Sequence, residues 1–454
     1  MRAIDFIAQM IYFAGTMKHI YLYFLIACIA FSCRKDHPVV ETTNTYTPGL
    51  KIQQIVNDST IVLKWHKYAG KDFKRYYIQR SAIYIKDGKI NRYYDGLDSS
   101  TNVNDTTFTE TRMPVARQII YSLYVDHQSS SFITDFVIYE RPPTTAFYGL
   151  LKDVLFDKEN KKLYVIHTHG YDDDNYFSDF VTAVDYTTGR QISSKNLQNY
   201  TNGYCALGDF NGSKELCLPV NNAVFMLDAS SFEVKDRINC GGTIVNSVVT
   251  VNGNLYVTTN DTTGGTSECI KVYSRATKNL IGRTGFQANT RLLFLEGTST
   301  EMVDIKTDNA ITGQISYYQF STTGVPILKK QDTSHSDYRV TPVAARSFPD
   351  GNRFITSYSG TVFNKSLAFE KYLKYNGSYA DYAFNDDGSV IYAADIYQKK
   401  IDVINYAAGN VVKSYPTTMY PYRIFRDGNT LICLSITAKD LNNSGYCFVE
   451  RINL

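Results

Sequence analysis

From Thr144 onward, apolar and polar positions follow one repeating plan. An apolar strand runs into a tight turn, and a second apolar strand follows. A polar loop, a third strand and a small-residue turn complete the unit. The first turns read Lys158-Glu159-Asn160, Asn211-Gly212, Asn252-Gly253, Gly297-Thr298-Ser299, Asp350-Gly351, Asp387-Gly388 and Asp427-Gly428. Asn-Gly and Asp-Gly suit these positions because they accept the positive φ of two-residue hairpins. The second strands begin with Leu163-Tyr164-Val165-Ile166 and end with Leu431-Ile432-Cys433, six steps of about 45 residues apart. Third strands recur as Val184-Asp185-Tyr186-Thr187-Thr188-Gly189, Met226-Leu227-Asp228 and Val403-Ile404-Asn405, each running into a turn. Residues 50–141 differ. Their apolar residues alternate with period two in Ile61-Val62-Leu63-Lys64-Trp65, Tyr76 to Ser81, Thr106 to Thr109 and Tyr121 to Val125, which predicts two sheets packed face to face around Trp65.

The position of the single Trp and the Tyr-x-Leu-Tyr-Val run at 121–125 resemble a fibronectin type III domain over residues 50–141. In that likeness Trp65 is the core Trp of strand B and 121–125 is strand F. Such domains usually act as spacers, so no chemistry is expected there. Pro142-Pro143 marks a stiff boundary. The later repeat, a strand followed by Asp or Asn and a turn ending in Gly, resembles the YVTN and quinoprotein-like β-propellers over residues 142–454. Seven blades account for this span, although the weak repeat at 335–375 leaves six or eight open. The final apolar strand, Cys447 to Ile452, leaves the last blade without an outer strand, which Thr145-Ala146-Phe147-Tyr148 is expected to supply. The expected fold class is therefore all-β, a fibronectin type III-like sandwich followed by a seven-bladed β-propeller.

The N-terminus addresses compartment. Met17-Lys18-His19 precedes the apolar run Ile20 to Phe31 and then Ser32-Cys33, the pattern of an export signal. The run is too short to span a bilayer comfortably. Ser32-Cys33-Arg34-Lys35-Asp36 resembles the lipoprotein signals common in Bacteroidetes, in which the Cys becomes the lipidated first residue. Leu25-Ile26-Ala27-Cys28 fits the general lipobox pattern too, but cleavage there leaves Ile29-Ala30-Phe31 on the mature chain. The expectation is a signal peptide over 1–33 ending at the lipidated Cys33, a tether over 34–49, and an exported outer-membrane lipoprotein facing the periplasm or the cell surface.

Composition then narrows the partners. With 47 Lys+Arg against 44 Asp+Glu, a net charge of +3, the basic excess needed for nucleic-acid binding is missing. Beyond the signal, six cysteines remain: Cys205, Cys217, Cys240, Cys269, Cys433 and Cys447. In an oxidising compartment they could pair as Cys205–Cys217 and Cys433–Cys447 across hairpins, with Cys240–Cys269 left over, or stay as buried thiols. Their spacing gives no zinc motif.

Aromatics make up 14% of the chain, with 37 Tyr and 25 Phe. In a propeller the blade-to-blade loops gather on one face. Tyr200, Tyr204, Phe286, Tyr338, Tyr379, Tyr382, Tyr420 and Tyr422 fall in the expected loops, with Arg291, Arg339 and Arg423 among them. Tyr and Arg together suit sugar stacking or a protein hot spot, whereas the alternative role is packing between blades, foremost for Tyr382 and Phe384. His167, His169, Asp172 and Asp174 form the most distinctive loop and could hold Ca²⁺ or another divalent metal, although the run lacks the alternating carboxylates of a calcium loop. Asp209-Phe210-Asn211-Gly212 resembles an FG-GAP calcium loop but reads better as a hairpin turn. No nucleophile elbow, nucleotide loop or assignable acid–base pair appears, and no other cofactor is implied. The expected function is a non-catalytic envelope lipoprotein whose propeller face binds a glycan, peptide or partner protein. The alternative is a metal-dependent hydrolase or lyase acting on an extracellular polymer.

Overall fold

A computed structural model describes residues 46–454 except 58–59, 87–88, 114–117, 128–131, 141–144, 171–176, 198–200, 202, 243, 261–267, 307–313, 333–339, 357–358, 375–378 and 439–444. The signal, including Cys33, lies outside the described residues. Among the described residues there is no α-helix, and none long and apolar enough to cross a membrane.

The first seven strands are β1 (Lys51–Asn57), β2 (Thr60–Lys64), β3 (Phe73–Lys86), β4 (Lys89–Ser100), β5 (Thr107–Glu110), β6 (Gln118–His127) and β7 (Phe132–Glu140). They form two antiparallel sheets, ordered β1-β2-β5 and β4-β3-β6-β7. Period-two alternation places Ile61, Leu63, Tyr76, Ile78, Tyr121, Leu123 and Val125 in one core. Trp65 lies just past β2 in that core, edge-on to Tyr76 at 5.5 Å between ring centroids. One buried carboxylate is tied in by two partners. Glu110 pairs with Arg80, which also grips Asp95, and accepts the Tyr121 hydroxyl at 2.5 Å.

The remaining strands form antiparallel sheets in sequence order, the arrangement of a β-propeller of seven blades. Blade one begins with β8 (Thr145–Asp157), and blades two to six are each four-stranded. The expected hairpin turns are present. Asn211, Gly212, Asn252 and Gly253 all take positive φ, between 51° and 73°, so Asp209-Phe210-Asn211-Gly212 is a turn. The recurring Asp or Asn after the third strand folds the next turn through its own side chain: Asp185 Oδ1 accepts the Thr187 N–H, Asp228 Oδ1 that of Ser230, and Asn405 Oδ1 that of Ala408. Blade five is the reduced one, its inner strand only Arg346–Ser347 after the 3₁₀ turn Pro342–Ala344.

Burial follows strand position. Second strands are buried on both faces, as in Asn254–Thr259, because each blade is covered by two neighbours, whereas outer strands such as Asn410–Pro416 are largely exposed. Seven apolar clusters result among the described residues, one for each pair of adjacent blades, including the pair of blades seven and one. The ring closes through β8 as the sequence predicts. Its first part pairs with the last strand, Gly445–Asn453, through Tyr148–Tyr446 and Gly149–Gly445, and from Leu150 onward it pairs within blade one.

The six cysteines are free and buried. The hairpin disulfides do not form, for reasons of register. Cys217 is paired with Ala206, so Cys205 points to the opposite blade face and packs in the cluster of blades one and two, while Cys217 packs with blade three. Cys433 faces Glu450 and Cys447 faces Ile436, so the two thiols stand on separate rungs.

Candidate functional site

The inner strands carry a shared irregularity close to where they start. Pairing shifts register between Leu151 and Asp153, Val245 and Ser247, Tyr379 and Asp381, and Pro421 and Arg423. A bulge of this kind re-aims the next side chain. Here the re-aimed groups reach the adjoining blade. Asp153 Oδ2 accepts the Cys205 N–H at 2.7 Å, Ser247 Oγ accepts that of Leu292 at 3.1 Å, and Asp381 Oδ2 accepts that of Ile424 at 2.9 Å. The Tyr422 hydroxyl donates to the Leu151 carbonyl at 3.2 Å, and Arg423 Nη1 to the Ala380 carbonyl at 3.2 Å. These contacts satisfy backbone groups on the inner strands of blades one, two, four, six and seven, whose inner edge has no further strand to pair with.

Three guanidinium groups from blades four, five and seven belong to this ring. Arg346 forks onto Asp381 through Nε at 2.8 Å and Nη2 at 2.7 Å, and its guanidinium lies 5.1 Å from the Phe425 ring centroid. Arg423 is 3% exposed and lies 4.3 Å over the Tyr422 ring. Arg291 is half-buried, donates from Nη1 to the carbonyls of Pro342 and Val343, and lies 4.3 Å over the Tyr204 ring. Burial lowers its pKa from the ordinary arginine value, and Arg346 and Arg423 lower it further against the pull of Tyr204 and Asp153. Burial likewise raises the Tyr422 pKa, with Arg423 opposing and Asp153 and Tyr204 adding to it. Groups from blades one, two, four, five and seven therefore share one electrostatic environment.

Four of the expected binding residues, Tyr204, Arg291, Tyr422 and Arg423, thus meet in the inner ring. Tyr422 and Arg423 are nevertheless buried, so they hold the site rather than present a surface. Tyr379 is a packing residue, fully buried with its hydroxyl donating to Asp402 Oδ2 at 3.1 Å. Tyr420 is half-buried beside Lys399, whose Nζ lies 5.1 Å over its ring. Tyr382 and Phe384 pack between blades five and six, as expected. Tyr200, Tyr338 and Arg339 lie outside the described residues.

The expected metal loop divides in the same way. His167 is 2% exposed, stacks on Phe180 and shares a 2.9 Å hydrogen bond between Nε2 and Thr182 Oγ1, a role within the blade. The His169 side chain, Asp172 and Asp174 lie outside the described residues, and no metal-ligand cluster occurs among those described.

Sequence reasoning missed Asp153, Ser247, Arg346 and Asp381. A usable signal existed: Asp153, Asp381 and Arg423 each stand four residues before the turn residues Asp157, Asn385 and Asp427, so aligning the repeats brings them into one register.

At the far ends of the inner strands of blades two and three, a cavity of about 220 Å³ is lined by Gly208, Phe210, Glu215, Thr250, Asn254 and Arg275, among others. Arg275 forks onto Glu215 at 2.7 and 2.8 Å and reaches Asp236 at 3.0 Å, so the charges there are paired with one another.

No protein-family model matches this chain, and no curated protein matches it. Among solved structures it is similar to hydrazine synthase of Kuenenia stuttgartiensis, with a TM-score of 0.49 and 12% identity over 70% of this chain and 99% of that one. It is also similar to the Cps50 (Swd1) β-propeller domain of Myceliophteria thermophila, with a TM-score of 0.47 and 10% identity over 67% of this chain and 98% of that one.

Proposed function

We propose that this protein is a non-catalytic cell-envelope lipoprotein, exported and anchored to the outer membrane through Cys33, whose propeller binds a glycan, peptide or partner protein at the mouth of its channel. The observation that carries the reading is the convergence of Tyr204, Arg291, Tyr422 and Arg423 from three different blades on one ring. A rigid β scaffold that gathers aromatic and guanidinium groups from distant parts of a chain suits recognition, because the groups are ordered before the ligand arrives. The order β1-β2-β5 against β4-β3-β6-β7, with Trp65 between the sheets, supports the fibronectin type III likeness and a spacer role for residues 50–141. The competing reading as a metal-dependent hydrolase or lyase gains nothing from His167, which is already engaged by Thr182.

Glycan arrays and envelope pull-downs test the proposal. Tyr204→Ala combined with Arg291→Ala is expected to abolish the interaction that the unaltered protein makes. Persistence of every detected interaction in that variant sinks the site assignment. Cys33→Ala is expected to release the protein from the membrane fraction, and an unchanged distribution rejects the anchor.

A further inference from the structure

We propose that the inner ring is a carboxylate-binding site, in which Arg291 receives the carboxylate of a free organic acid or of a uronic acid residue. The inference rests on the binding role above and specifies its ligand chemistry.

Two observations carry it. The first is the missing ion pair at Arg291. Arg291, Arg346 and Arg423 share the ring with the carboxylates Asp153, Asp381 and Glu296. Asp381 is taken by the Arg346 fork. Asp153 accepts the backbone N–H groups of Val154 at 2.9 Å and Cys205 at 2.7 Å, and among the described residues no arginine forms an ion pair with it. Arg291 itself forms no ion pair with a carboxylate among the described residues, whereas Arg346 faces both Asp381 and Glu296. A cation in such surroundings is costly unless an anion completes it, and a singly charged anion does so without excess.

The second is geometry. This protein grips its own carboxylates through the Nε and Nη2 edge of arginine, as Arg346 does with Asp381 and Arg275 with Glu215. Arg291 spends Nη1 on the carbonyls of Pro342 and Val343, and among the described residues nothing accepts a hydrogen bond from its Nε or Nη2. The ring of Tyr204 and the two carbonyls fix the plane of the guanidinium and leave that edge for a planar, two-oxygen acceptor. Arg291 is half-buried and therefore keeps contact with solvent.

Calorimetric titration of the full chain, purified in detergent at low salt, decides the matter with four probes: acetate, glucuronate, glucose and inorganic phosphate. One-to-one binding of acetate and glucuronate is expected, weakening as salt is raised. Arg291→Lys, which keeps the charge but removes the fork, should weaken it at least tenfold, while Arg353→Lys, whose partner Asp350 lies outside the ring, should not. Equal affinity for the two carboxylates identifies a bare organic acid as sufficient. Much tighter glucuronate binding identifies the uronic acid residue. Absence of carboxylate binding, binding unchanged in Arg291→Lys, or phosphate binding more tightly than either carboxylate overturns the proposal. Glucose binding as tightly as glucuronate also overturns it, yet leaves the broader glycan-binding reading standing.

Discussion

Arg346 of blade five holds Asp381 of blade six in a two-pronged ion pair, and the same carboxylate accepts the Ile424 N–H of blade seven at 2.9 Å. One side chain thus ties three consecutive blades. Asp381→Ala removes both contacts and leaves Arg346 without its counter-charge. A destabilisation of about 3 kcal/mol is expected, below the top of the range for buried pairs because the Arg346 side chain is 26% exposed. Asp381→Asn, which can still accept from Ile424, should lose less. The two denaturation midpoints measure this, and equal midpoints for the three proteins would falsify the tie.

Gly149 sits where β8 passes from pairing with the last strand to pairing in blade one. A Cβ there would meet His167 Nδ1 at 2.5 Å and the Thr168 carbonyl oxygen at 2.9 Å. The backbone neighbour cannot swing aside, so Gly149→Ala should cost about 1–3 kcal/mol. Because the strain falls on the closure strand, limited proteolysis should cut that variant faster than the unaltered protein. Equal cleavage rates would show that the seam tolerates a side chain.

Asp304 in blade four has no exposed surface, and burial pushes its carboxyl up to about 7, against hydrogen bonds from Gln287, Tyr318 and Ser316. In the unfolded chain the same group titrates near 3.8. Between these values the folded protein keeps a proton that the unfolded chain releases. Its stability contribution is present in full below the lower value and is lost as pH rises towards the higher one. Compared with Asp304→Asn, which carries no titrating group, the unaltered protein should lose stability from about pH 4 to about pH 7 and run parallel above that. Urea midpoints across this window provide the check, and parallel curves throughout would contradict it.

The six thiols should be silent in the native state. Burial pushes Cys217 up to about 12 and Cys240 up to about 11, and it raises Cys205, Cys433 and Cys447 as well. A disulfide-exchange reagent at about pH 8 needs both thiolate and access. It should therefore label none of the six in folded protein and all of them in denaturant. Rapid native labelling of any one would place that residue at a surface.

Much of the fold was legible in the sequence because its signals are local. Asn211-Gly212 and Asn252-Gly253 set positive φ by their own chemistry, and Asp185, Asp228 and Asn405 fold the following turn through their own side chains. Alternation around Trp65 and the repeat from Leu163 to Leu431 likewise need no knowledge of distant contacts. Even the closing strand was readable, since a blade short of one strand points to the other end of the repeat.

Other features depended on register and on which blade lies beside which. Cys205 and Cys217 look pairable along the chain, yet a one-residue offset puts them on opposite faces of the blade. His167 reads as a ligand until its strand neighbour proves to be Phe180 and its hydrogen-bond partner Thr182. Tyr379 and Tyr422 were expected in loops, but the inner-strand bulges place them between blades. The sequence by itself determined strands, turns and repeat length, because these follow from residue chemistry over a few positions. Only the tertiary structure decided that Arg291 lies over Tyr204 while Asp381 takes Arg346. Those pairings join side chains dozens of residues apart, set by how one blade packs against the next.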